Sequence, residues 1–303
     1  MLDIEDPRQL EDWLRATGHI APDEPIEARV LAGGVSNRTV LVERAGGERW
    51  VLKQALEKLR VPVDWFCAPE RIEREALGMQ VLHDVAPAGT ITRLIFCDPD
   101  VHVLAMEAVP EPHDNWKSLL LAGVIEVDHF RQFGQLLATL RSAPHDPVFD
   151  DRSYYEVLRL EPYYAYTAQQ VPRAAPFLTA LIERTRRTAV SLVHGDYSPK
   201  NVLIREGRLV LLDHEVIHWG DPDFDIGFAM AHFLSKARHM PQHRERLMEG
   251  IDAFLGELPN HGETASDHTI ACLLARVAGR SQLEYLTPEE KSAQLSETLA
   301  MLP

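Results

Sequence analysis

The stretch LVHGDYSPKNVLIREGRLVLLD, residues 192–213, narrows the possible folds more than any other part of the chain. Two apolar arms flank Glu206-Gly207, so the segment reads as one strand turned back on another. Asp196 and Asn201 share the loop before the first arm, and Asp213 ends the second. The hairpin therefore carries an Asp, an Asn and a further Asp toward one place. Phosphoryl transfer asks for one carboxylate to orient or deprotonate an attacking hydroxyl, and for hard oxygens to hold magnesium against nucleotide phosphates. Asp196 suits the first task; Asn201 and Asp213 suit the second.

The first half of the chain has strand period. ARVLAGG (28–34), RTVLVER (38–44) and RWVLKQA (49–55) are joined by the Gly-containing connections GGVSN and AGGE, which predicts a three-strand antiparallel meander. A helix is expected over 69–82, then two more strands near 90–97 and 101–109. The turn-rich PEPHDNW begins at Pro110 and marks a boundary between an N-terminal lobe, 1–109, and a C-terminal lobe, 110–303. The second lobe is mostly helical. Phe130, Phe133, Leu137 and Leu140 fall at helical spacing, as do Phe177, Leu181 and Ile182, and both stripes read as core. Thr287-Pro288-Glu289-Glu290 opens a last helix with a capping box.

HGDxxxxN followed by an Asp at a strand end resembles the aminoglycoside phosphotransferase and choline kinase superfamily, relatives of the protein kinases. Asp213-His214-Glu215 is similar to the Asp-x-Glu of choline kinases and methylthioribose kinases, although Asn201 departs from the serine of the latter. The resemblance implies an α+β, protein-kinase-like two-lobed fold, with a five-stranded antiparallel sheet plus helix and a larger helical lobe. It implies a small-molecule kinase moving the γ-phosphate of ATP to a hydroxyl, with Mg2+. Asp196 is then the catalytic base, and Asn201, Asp213 and Glu215 are the metal ligands. Lys53 on the third strand pairs with phosphates, and Glu75 is its acidic partner, with Glu73 the nearest rival. Gly33 and Gly34 permit tight curvature where Ser36 and Asn37 approach phosphate oxygens. Adenine lies against the main chain of Met106, Glu107, Ala108 and Val109, Lys200 reaches toward the transferred phosphate, and Asp225 braces the catalytic loop.

The acceptor stays open among an aminoglycoside, an amino alcohol such as choline, and a sugar such as methylthioribose. Choline would need an aromatic box, for which Trp116, Tyr154, Tyr155, Tyr163, Tyr164 and Trp219 are candidates. A protein substrate is disfavoured, because the chain runs from His214 straight into GDPDFDIG with no activation segment. Net charge is −15, which argues against nucleic acid or an anionic membrane and favours a cationic or neutral small substrate. Cys67, Cys97 and Cys272 show no C-x-x-C spacing, and the acidic N-terminus has no leader pattern, so a reducing cytoplasm is expected. Two alternatives remain. A pseudokinase would bind nucleotide without turnover; a zinc hydrolase would use His214-Glu215-Val216-Ile217-His218, although its Val-Ile pair and the following Gly220-Asp221-Pro222 oppose the required helix.

Overall fold

Alternating apolar residues build the first layer. In the computed structural model, which describes residues 2–32, 34–61, 63–258 and 263–302, β1 (Ile26–Val30), β2 (Asn37–Arg44) and β3 (Arg49–Ala55) form the expected meander. With β4 (Leu94–Asp98) and β5 (Val103–Glu107) they make a five-stranded antiparallel sheet in the order β1-β2-β3-β5-β4. One face buries Val40, Val42, Trp50 and Leu52 beneath Leu10 and Leu14 of α1 (Pro7–Ala16), whose N-cap is Asp6. The opposite face packs Ala55, Leu104 and Met106 on Ile72 and Met79 of α2 (Arg71–Val85). Strand period places Lys53 between Val51 and Ala55 on that α2 face.

Two boundaries differ from expectation. The first strand runs Ile26–Val30, and Leu31 then donates to the Thr39 carbonyl at 2.8 Å before the chain turns into β2. Residues 69–70 form a turn, and α2 runs on to Val85, where Pro87 disfavours a helical residue before it.

The rest is largely helical. After β6 (Asp114–Asn115), α3 (Trp116–Leu121) and α4 (Val127–Arg141), a short α5 (Ser153–Tyr155) leads into a π-helical segment, Glu156–Ala165, and then α6 (Tyr166–Gln170) and α7 (Ala175–Arg187). Strands β7 (Ser191–Val193), β8 (Val202–Arg205), β9 (Arg208–Leu211) and β10 (His218–Gly220) carry the predicted hairpin, with β6-β8-β9 in one small sheet and β7-β10 in another. Helices α8 (Asp223–His239), α9 (Arg244–Gly256), α10 (Glu263–Ala278) and α11 (Pro288–Ala300) close the chain, the last with the capping box of Thr287 and Glu290. The α4 stripe of Phe130, Phe133, Leu137 and Leu140 is buried with Trp116, Phe233 and Phe254. This is the two-part α+β arrangement of a protein-kinase-like chain. No helix among the described residues is long and apolar enough to cross a membrane.

Helices α8 and α10 touch through Gly227, where a Cβ would lie 2.4 Å from His268 Cβ and 2.6 Å from its carbonyl carbon. Backbone does not yield as a side-chain tip does. Gly227→Ala is therefore expected to lower unfolding free energy by about 3 kcal/mol, the upper range for overpacking. Urea unfolding checks this, and a loss below about 0.5 kcal/mol, within the usual range of surface substitutions, contradicts the close packing.

Candidate active site

One ammonium group joins three elements that are distant in sequence. Lys53 Nζ on β3 donates to Glu75 Oε1 on α2 at 2.6 Å and to Asp213 Oδ1, just past β9, at 2.8 Å. Glu75 is fully buried, whereas Glu73 is exposed, so the geometry selects Glu75. Asp213 has φ 71°, a left-handed conformation that Asp tolerates better than most residues and that gathers at functional sites. Burial works against each charge. Asp213 and Glu75 nevertheless push Lys53 above its ordinary value, and Lys53 and Lys200 hold Asp213 well below the carboxylate range. Burial pushes Glu75 up to about 7 against the pull of Lys53.

The loop between β7 and β8 is hung from helix α8. Asp225 accepts from the amides of His194 at 2.7 Å and Gly195 at 2.9 Å, so it braces the loop from a buried helical first turn. Gly195 explains the HGD spelling: its φ is 79°, and a Cβ there would stand 2.9 Å from Val216 Cγ1. Asp196 Oδ2 then receives Arg159 Nη2 at 2.9 Å, Lys200 Nζ at 2.7 Å and Asn201 Nδ2 at 2.8 Å. Its Oδ1 is buried with no partner. Burial would raise Asp196, but Arg159 and Lys200 hold it below its ordinary value, so the carboxylate is charged with one oxygen engaged and one spare.

Glu215 Oε2 accepts from Arg71 Nε at 3.1 Å and Asn37 Nδ2 at 3.2 Å. Arg71 is fully buried and also donates to the carbonyls of Ser36, Leu56, Cys67 and Ala68, tying the start of β2 to α2. Oxygens of Glu75, Asp213 and Glu215 lie within 4.8 Å of one another, a hard-donor set that fits a small divalent cation. Sequence reasoning counted Asn201 in that set and not Glu75. In the structure Asn201 Nδ2 is bound to Asp196, through both its main-chain O at 2.9 Å and its Oδ2.

Gly34 and Ser36 lie in the turn before β2 and Asn37 opens that strand, with Asn37 Oδ1 buried and unpartnered; Gly33 lies outside the described residues. Glu107 ends β5, its amide already donating to Arg93 O at 2.9 Å and its exposed carboxylate paired with Arg93. Val109 lies just past that strand. Trp116, Tyr155, Tyr163 and Tyr164 are 2% exposed or less and pack as core, which removes them from an aromatic box. Residues 214–217 form no helix and His218 opens β10, so H-E-x-x-H cannot aim two imidazoles at one ion. Neither histidine belongs to the one metal-capable cluster found among the described residues. The zinc alternative is overturned. Arg71 and Arg159 were not found in the sequence at all, because nothing local marks an arginine whose acidic partner, Glu215 or Asp196, lies far along the chain.

A lysine bridging two acids, beside a loop aspartate with a spare oxygen, defines a protein-kinase-like phosphotransferase class. The chain belongs to the phosphotransferase enzyme family, whose model matches residues 27–253. It is 25% identical over 265 residues to methylthioribose kinase of Citrobacter koseri, a match covering 77% of this chain and 66% of that protein. The chain thus spans just under two thirds of that relative's length. Among solved structures it is similar to choline kinase LicA from Streptococcus pneumoniae, with TM-score 0.61, 14% identity, and 98% and 100% of the two chains covered. It is also similar to the streptomycin-ATP-APH(2")-IIa ternary complex, with TM-score 0.53, 14% identity, and 99% and 97% covered.

Burial holds His194 down to about 4 and His218 down to about 3, so both are neutral in the fold and charge only on unfolding as pH falls. Their stability contribution is complete above an unfolded value of about 6.5 and is lost as pH drops toward the folded values. Each histidine adds a slope of up to about 1.4 kcal/mol per pH unit. Denaturant midpoints between pH 7.5 and 4.5 should fall more gently in His218→Gln than in the parent chain; parallel curves contradict the buried neutral imidazole.

Proposed function

We propose that this chain transfers the γ-phosphate of ATP to a hydroxyl of a small molecule, holding the nucleotide between an N-terminal lobe, residues 1–109, and a catalytic lobe, residues 110–303. The observation that carries the reading is Lys53 Nζ held between Glu75 and Asp213 beside an Asp196 with one oxygen spare. Family membership supports the reaction class. A methylthioribose kinase among the relatives and a structural neighbour named with ATP and streptomycin support the donor and a hydroxylated acceptor.

Each residue then has a task its geometry suits. Lys53 turns from its acids to phosphate oxygens, and the turn at Gly34, Ser36 and Asn37 covers the phosphates with amides. Main-chain groups near Glu107 and Val109 receive adenine. Asp213, with Glu215 and the nearby Asn201, would hold magnesium, which when bound neutralises phosphate charge. Asp196 Oδ1 accepts the hydrogen bond of the acceptor hydroxyl and takes its proton as the oxygen bonds to phosphorus; the bond from phosphorus to the bridging oxygen breaks, leaving ADP. Lys200, bound to the other oxygen of Asp196, stands within reach of the transferred group.

Asp196→Asn is expected to lower kcat by roughly 10²–10⁴-fold with the nucleotide KM little changed; a variant keeping half the parent rate contradicts the assignment. Lys53→Ala should mainly raise the ATP KM, and Asp213→Ala should be nearly inactive. Glu215→Ala should need more magnesium and also lose about 3–5 kcal/mol of stability, because Arg71 is left buried without its partner. ADP production against magnesium concentration, with unfolding curves for each variant, checks all four. Full activity in Asp213→Ala rules the metal role out.

A further inference from the structure

Helices α8 and α10 bury cations that the transfer chemistry does not use. Lys236 on α8 is fully buried, and its Nζ has one long bond, 3.4 Å, to the His232 carbonyl, while lying 5.3 Å from the centre of the Tyr285 ring. Arg276 on α10 is 4% exposed; Nη2 reaches His232 Nε2 at 2.7 Å, Nη1 reaches Ser281 O at 2.9 Å and Oγ at 3.1 Å, and Cζ lies 4.9 Å from the centres of both the Tyr163 and Phe228 rings. Three polar atoms of this group are buried without partners: His232 Nδ1, Arg276 Nε and Tyr285 Oη. The acid whose charge reaches Lys236 is Glu284, which is exposed and already paired with Lys117. Burial, Lys117 and Arg276 together push Lys236 down to about 7.

The cluster adjoins the catalytic loop. Arg159, which holds Asp196 Oδ2 at 2.9 Å, lies over the same two rings as Arg276, 5.8 Å from Tyr163 and 5.7 Å from Phe228. Lys200, 2.7 Å from Asp196, and Lys117 both act on His232 through their charges. A buried lysine without a carboxylate is costly, and unpartnered donors beside it add to the cost. An anion entering there would meet Lys236, Arg276 Nε and the Tyr285 hydroxyl as donors. A polycation or a quaternary ammonium would meet like charge.

We infer that the phosphate acceptor is an alcohol that also carries an anionic group, a carboxylate or a phosphate ester, bound by Lys236, Arg276 and Tyr285 across the Tyr163 and Phe228 rings that Arg159, the partner of Asp196, also touches. This rests on the phosphotransfer reading and reverses the expectation drawn from net charge. It makes the local field, not the −15 of the whole chain, the selector of substrate.

The test measures ADP release with matched alcohols: hydroxy acids, sugar phosphates, neutral sugars, amino alcohols and aminoglycosides. Turnover is expected in one of the two anionic sets, and which set responds separates carboxylate from phosphate ester. Lys236→Met, and Tyr285→Phe as a second variant that keeps the ring, should raise the KM of that acceptor, the first by roughly 10–100-fold and more than they lower kcat. Efficient turnover of a neutral or cationic alcohol, unaffected by Lys236→Met, overturns the inference and leaves phosphotransfer standing. No ADP release from any set overturns the phosphotransfer reading. Inorganic phosphate added to protein saturated with ADP and magnesium then decides the anion site alone. A thermal shift seen in the parent and lost in Lys236→Met supports it, and equal or absent shifts overturn it.

Discussion

Charge balance among three buried carboxylates and one half-buried one is the constraint on which this structure turns. Glu75, Asp196, Asp213 and Glu215 converge from α2, the catalytic loop and the segment after β9. Each is matched by a cation from another element: Lys53 serves Glu75 and Asp213, Arg71 serves Glu215, and Arg159 serves Asp196, joined there by Lys200 of the same loop. A charge buried without its partner costs several kcal/mol, so the sheet, α2, the π-helical segment and the hairpin must hold one relative placement. The ion pairs are weak evidence for stability and strong evidence for position.

What the pairs leave unpaired is equally informative. Asp196 Oδ1, Glu75 Oε2 and Asn37 Oδ1 are buried without partners in the same region, whereas most buried polar atoms in a folded protein are satisfied. A fold tolerates such atoms where a ligand completes them. Donors and acceptors fixed before the substrate arrives need no reorganisation during the reaction, which is the largest single contribution in many enzymes. The unpartnered donors around Lys236 follow the same logic.

Much of this was legible in the sequence, and the failures share a cause. Alternation gave away the meander and the strand that Lys53 occupies; spacing gave away the hairpin and its catalytic loop; the family resemblance gave away the Asp225 brace; local chemistry gave away the Thr287 cap. These signals lie within one element or one loop. Arg71 looked like an ordinary residue at a helix start, and Arg159 like one more charge in a helix, because their partners Glu215 and Asp196 are reached only through the tertiary fold. Tyr155, Tyr163 and Tyr164 invited a ligand role, yet the helical core claimed them through Phe224 and Phe228. H-E-x-x-H failed for the reason visible beforehand: a strand and a turn cannot do what one helical face does.

We propose Lys53, Glu75 and Asp213 as the place where nucleotide phosphates bind together with a divalent ion. Calorimetric titration of a non-hydrolysable ATP analogue, with magnesium and with chelator, tests it most directly. Binding should be at least about tenfold tighter with magnesium, because ion and phosphates share ligands, and Asp213→Asn should lose that dependence. Equal affinity with and without magnesium in the parent chain, or no binding in either, would contradict it.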